Sequence, residues 1–273
     1  MPTRDRSLGR APAERAWLWV LAMVASVALL LVIHHLFVTT STGQRAEYVA
    51  ITAAERRFAG LQGPGLGVLQ VLPEIVAVLA VLVFAAVTVW RRRWLASAIA
   101  VASFAAANLT TQLLKNVVLE RPELANGVPY LTGNSLPSGH TTFAAAAAIA
   151  VFLVVAPRWR PATAALGALF TVAVGTATFV EGWHRPADMA AAYLVAAFWG
   201  LAGGYAVLRS GAEWNTAVRR SELVPRPMGD PRWDVALWGG GAAAVAGAWL
   251  SYEMAGGLDA LVADPPRVSG WHF

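Results

Sequence analysis

Residues 182–208 read GWHRPADMAAAYLVAAFWGLAGGYAVL, and from Ala187 onward Asp188 is the only charged residue. About 20 apolar residues cross a bilayer as a helix, so 187–208 predicts a membrane span whose head, Gly182 to Asp188, is polar. Working outward, runs of the same kind recur at 17–38, 69–90, 95–117, 140–156, 161–181 and 234–254. The run at 140–156 is short and Ala-rich, and reads equally well as a full span and as a buried or partial one. With 57% hydrophobic and 14% charged residues and a mean hydropathy of +0.54, the 273-residue chain lies outside soluble usage. The expected fold class is an all-α polytopic membrane bundle.

There are no cysteines, which excludes disulfides, thiolate nucleophiles and Cys-ligated metals. The net charge of +5 comes from short Arg clusters between apolar runs, not from one basic face, so nucleic acid is not an expected partner. Residues 1–16 carry Arg4, Arg6, Arg10 and Arg15 ahead of the first run. That run is too long for a cleaved signal and lacks a small-residue cleavage site directly after it. A cytoplasmic N-terminus puts 14 basic residues inside, adding Arg91 to Arg93, Arg158, Arg160, Arg209 and the cluster from Arg219 to Arg232. It leaves 7 outside: Arg45, Arg56, Arg57, Lys115, Arg121, Arg185 and Arg267. The positive-inside rule favours that orientation. Trp17, Trp19, Trp90, Trp94, Trp183, Trp233 and Trp238 fall near span ends as interfacial anchors. Residues 44–60 suit an amphipathic helix lying in the interface, or an ordinary loop.

Three polar segments interrupt the apolar pattern, all on the outer side in this orientation: KNVVLERP (115–122), LPSGHT (136–141) and GWHRPAD (182–188). His184 and Asp188 are four apart at a helix start, so the carboxylate can accept the imidazole N–H and raise the basicity of the other ring nitrogen. Pro137, Ser138 and Gly139 precede a helix, where backbone N–H groups and the helix N-terminus can face an anion beside the Ser138 hydroxyl. Lys115, the only lysine among 21 basic residues, and Arg121 supply positive charge. Together these are the parts for attack at phosphorus: charge clamp, nucleophile and, in His140, a proton donor. No metal or cofactor is expected, because the acidic residues are scattered and there is no H-E-x-x-H helix. His34, His35 and His272 read as satisfied polar residues.

At these three segments, across roughly residues 95–208, the sequence resembles the phosphatidic acid phosphatase type 2 (PAP2) superfamily. The resemblance rests on Lys115 with the following Arg121-Pro122, on Pro137-Ser138-Gly139-His140, and on His184-x-x-x-Asp188. It implies a six-helix membrane core, beyond which the apolar run at 234–254 would be a seventh span, and metal-independent hydrolysis of a phosphomonoester or pyrophosphate, often on a lipid. By position, His184 would form a phosphohistidine, Asp188 would orient it and His140 would protonate the leaving oxygen. Lys115, Arg121, Ser138 and Gly139 would bind phosphoryl oxygens. The implied division is a cytoplasmic segment at 1–16, a catalytic membrane domain at 17–208, a cytoplasmic connection at 209–233, and a further span with an outer tail at 234–273.

Two departures accompany the resemblance. Lys115 and Arg121 are six apart, one position closer than the family spacing, and a continuous helix would rotate them about 120° from each other. A break or bulge is therefore expected, near Pro122. Thr178 stands where the family's third motif has an arginine; Arg185 could replace that charge or serve only as an interfacial anchor. The expected partners are the bilayer and an amphiphilic phosphate or pyrophosphate entering sideways at the outer leaflet. The alternative is a non-catalytic lipid-binding or transport relative. A proton-coupled transporter would place its ionisable residues near the midplane, whereas here they gather at one edge.

Overall fold

The computed structural model of the chain describes residues 16–58, 78, 80–90, 92–124, 133–156 and 159–210. In order, the helices are α1 (Ala16–Ile33), α2 (Ser41–Phe58), α3 (Ala80–Trp90), α4 (Trp94–Leu113), α5 (Gly139–Val154), α6 (Arg160–Val180) and α7 (Pro186–Arg209). No strand occurs among the described residues. A π turn, His34–Val38, extends α1, and a second, Leu114–Val118, extends α4. With those turns included, α1, α4, α6 and α7 are each long and apolar enough to cross a bilayer. The chain is thus an all-α polytopic bundle. The run expected at 69–90 is described mainly from Ala80 onward. The arginines of the N-terminal segment, the connection beyond Ser210 and the expected span at 234–254 lie outside the described residues.

α5 and α7 form the centre of the bundle. α5 packs on α4, α6 and α7, and α7 packs on α1, α4 and α5. At 16 residues α5 is roughly 24 Å long, short of the ~30 Å hydrocarbon core. Its Ala144, Ala145, Ala146 and Ala150 are buried, because small side chains let neighbouring helices approach closely where lipid supplies no hydrophobic drive. The Ala-rich run is therefore a buried central helix. Glycines do the same on α6 and α7. A Cβ at Gly175 would lie 2.6 Å from the Tyr193 hydroxyl, and one at Gly203 would overlap the Ser103 Oγ of α4. In contrast, α1 and α6 turn Leu21, Val24, Leu166 and Leu169 outward, the surface expected of helices in lipid.

The buried Arg93 donates from Nη1 to the carbonyls of Val154 and Val155 at 3.3 Å each. It caps the C-terminus of α5, where carbonyls lack helical partners and the dipole favours a cation. One arginine counted for topology thus has a packing role as well. Residues 41–58 are helical, so this part of the region is not an ordinary loop. α2 buries Gln44, Glu47, Ile51 and Ala54, a stripe at helical spacing. It packs against the π turn after α1 and against α6 and α7. Gly43 permits the tight turn, since a Cβ there would overlap the Leu36 carbonyl.

Candidate active site

The three polar segments meet at one end of the bundle. α7 starts with Pro186 at its first position, where the missing N–H costs nothing, and with Arg185 as an extended N-cap. Asp188, fully buried, organises this end. Its Oδ2 accepts from the Arg185 backbone N–H at 2.9 Å and from the Ser135 hydroxyl at 2.6 Å, and it faces His184 Nδ1 at 3.3 Å. A carboxylate only accepts, so Nδ1 carries the proton, and in the neutral ring the lone pair is on Nε2. The turn into this motif uses Gly182 at φ 71°, a left-handed conformation glycine adopts freely. It is closed by Trp183 N–H and His184 N–H, which donate to the Thr178 carbonyl at 3.0 and 3.3 Å.

Ser138 begins α5 as a side-chain N-cap: its Oγ accepts from Thr141 N–H at 3.3 Å, and its own N–H donates to the Asp188 carbonyl at 2.9 Å. The second bond ties the start of α5 to the start of α7. The N–H groups of Gly139 and His140, in the first turn, have no intrahelical acceptor and carry the positive end of the helix dipole. His140 is exposed, with its ring centroid 6.0 Å from that of His184 and 5.6 Å from the half-exposed Trp183.

The break expected near Pro122 comes earlier. Leu119 N–H closes the π turn onto the Leu114 carbonyl at 2.9 Å, and Leu119 itself is extended (φ −100°, ψ 125°). Asn134 explains the position: its Nδ2 donates to the carbonyls of Lys115 (3.0 Å) and Leu119 (2.7 Å), fixing the backbone on both sides of the break. Pro122 then keeps Arg121 out of the helical region. Lys115 stays half-buried, within electrostatic reach of His140. Arg121 turns toward α2, and its Nη2 donates to Glu47 Oε2 at 2.7 Å.

The two positions tied to the third-motif arginine differ in kind. Thr178 is buried, and its hydroxyl donates back to the Gly175 carbonyl at 2.9 Å, a bond within its own helix. The Arg185 guanidinium donates from Nη1 to Ser135 Oγ at 2.6 Å and lies within electrostatic reach of Arg121, Asp188 and Glu47. Burial and the neighbouring Arg121 push it below the ordinary guanidinium value, while Asp188 and Glu47 oppose that shift. Arg185 is thus a buried cation of the cluster, not a headgroup anchor. His34 has the expected structural role, donating from Nε2 to the Glu120 carbonyl at 3.2 Å.

Sequence reasoning missed Ser135, Gln44 and Glu47. Ser135 carries no signal beyond its place two residues before Pro137. Glu47 and Gln44 carried a faint one: in the amphipathic helix they fall on the same face as Ile51 and Ala54, polar residues on an otherwise apolar stripe. Chemically, the cluster offers one buried, oriented imidazole facing an exposed one, with three cations and a helix N-terminus around them, which suits an anion attacked by a nucleophile. The family model described as the PAP2 superfamily matches residues 94–211. Neither a curated protein nor a solved structure matches the chain.

Proposed function

The chain belongs to the PAP2 superfamily through residues 94–211, and from that premise we propose that it is a membrane phosphatase acting on a lipid phosphate or isoprenyl (pyro)phosphate through a phosphohistidine. The family supports phosphatase or phosphoryl-transfer activity. The observation that carries the finer reading is the buried His184–Asp188 pair, with the exposed His140 ring 6.0 Å away.

In the proposed reaction, His184 Nε2 attacks phosphorus as the bond to the leaving oxygen breaks, and His140, in its protonated form, gives that oxygen a proton. Asp188 holds the Nδ1 proton and stabilises the positive charge that develops on the ring. Water then attacks the phosphohistidine with His140 as base, which releases phosphate and restores His184. Lys115, Arg121, Arg185, the Ser138 hydroxyl and the N–H groups of Gly139 and His140 stabilise the charge on the equatorial oxygens. The site's place at the bundle end suits a headgroup presented from one leaflet, with the orientation expected from the basic residues making that leaflet the outer one. The step needs no metal.

The test is phosphate release by purified protein in detergent with EDTA, from a panel of lipid phosphates and pyrophosphates. Release that persists in EDTA and disappears in His184→Ala is expected. Absence of release from every panel member would instead favour a non-catalytic lipid-binding relative, the reading to which Thr178 at the third-motif position points.

A further inference from the structure

The Glu47–Arg121 pair joins two parts of the chain that the family match separates, since Glu47 lies on α2 and Arg121 within residues 94–211. Both side chains are 1% exposed. Burying an ion pair brings little net stability, because desolvation offsets the attraction. Burial pushes the Glu47 carboxyl above its ordinary range, with Arg121 pulling it back. Replacing such a pair by apolar residues is often neutral or stabilising, so stability does not account for the ion pair.

The surrounding bonds show what α2 grips. Gln44, one turn before Glu47, donates from Nε2 to the Pro122 carbonyl at 2.7 Å and accepts from Leu124 N–H at 3.3 Å. The same Nε2 reaches the Val38 carbonyl at 2.7 Å, which fixes the amide against the end of α1. His34 holds the Glu120 carbonyl. Three side chains from residues 34–47 therefore clasp residues 120–124, a stretch outside the helices. The clasp occupies only one nitrogen of Arg121. Its Nε and Nη1 are buried and make no hydrogen bond among the described residues, so a guanidinium held at one nitrogen presents two nitrogens with no acceptor among them. Buried donors of that kind are costly unless an acceptor arrives.

We propose that Glu47, supported by Gln44, is a positioning residue that orients the Arg121 guanidinium for phosphoryl oxygens, making α2 part of the phosphate site. This inference rests on the phosphatase reading in using a phosphoryl group as the ligand, but binding alone can test it. Glu47 acts through Arg121, so its effect disappears once Arg121 is gone.

Binding of inorganic orthovanadate to the purified full chain, followed by the fluorescence of Trp183 and the other tryptophans, reports the site without turnover. Wild type, Glu47→Gln, Glu47→Ala, Arg121→Ala and the Glu47→Ala/Arg121→Ala double variant are compared, with thermal melting in detergent as a folding check. Glu47→Ala is expected to weaken vanadate at least tenfold, Glu47→Gln to recover most of that loss by keeping one hydrogen bond, and the double variant to bind as Arg121→Ala does. Where Glu47→Ala melts early, Glu47→Gln against Arg121→Ala carries the comparison. Equal vanadate binding by wild type and every Glu47 variant overturns the proposal, as does an equal loss on top of Arg121→Ala. If wild type binds vanadate but releases no phosphate from any substrate, the phosphatase reading fails while the positioning role stands.

Discussion

At the residue scale, the position of the missing third-motif arginine separates side-chain chemistry from backbone chemistry. Thr178 contributes its carbonyl, which two N–H groups of the His184 turn share, while its hydroxyl bonds only within α6. Any residue at 178 supplies that carbonyl. Arg185 contributes its guanidinium, buried beside Ser135 and within electrostatic reach of Arg121. The expected consequence is asymmetric. Arg185→Ala should lower kcat/KM by roughly 10²–10³, in line with loss of one preorganised donor. Thr178→Val should leave kcat/KM within a few-fold of wild type. Steady-state kinetics on the two variants decides the matter, and an equal loss in both would return the anion-binding role to position 178.

At the element scale, the site depends on how closely α5 and α7 approach, because His140 sits in the first turn of α5 and His184 in the turn that leads into α7. Small residues line the contact near the site: Ala146 on α5 and Ala187 and Ala191 on α7 are buried in one cluster. Adding bulk there should force the helices apart and widen the gap between the His140 and His184 rings. Ala191→Leu is expected to cost about 1–3 kcal/mol, as overpacking of well-filled interiors does, and to lower kcat together with the melting temperature in detergent. Leu169→Val on the outward face of α6, where the side chain is 68% exposed, should change neither. A melting curve and a rate for each variant suffice. Were Ala191→Leu as stable and as active as wild type, the two helices would not be set by small-residue contact.

At the scale of the whole molecule, the polar cluster occupies one end of a bundle whose long flanks are apolar, so orientation in the membrane decides which side meets substrate. Because the chain has no cysteine, any introduced cysteine is a unique reporter. In intact cells, a membrane-impermeant maleimide should label Glu123→Cys, beside the site, and spare Trp159→Cys, at the opposite end before α6. The reverse pattern would put the site in the cytoplasm. The fold class, and the residues on which the proposed chemistry rests, were legible in the chain alone. Apolar runs of span length dictate helices, since lipid offers the backbone no other hydrogen-bond partner, and His184-x-x-x-Asp188 fixes an imidazole–carboxylate pair by helical periodicity alone. Those are local relations, legible because neighbours in sequence are neighbours on a helix. Packing between segments was needed to see that Ser135 shares Asp188 with His184, that the helix breaks at Leu119 through Asn134 and not at Pro122, that the Ala-rich run is the central helix, and that Glu47 meets Arg121 from 74 residues away. These pairings depend on packing between distant segments, which no periodicity within a segment records.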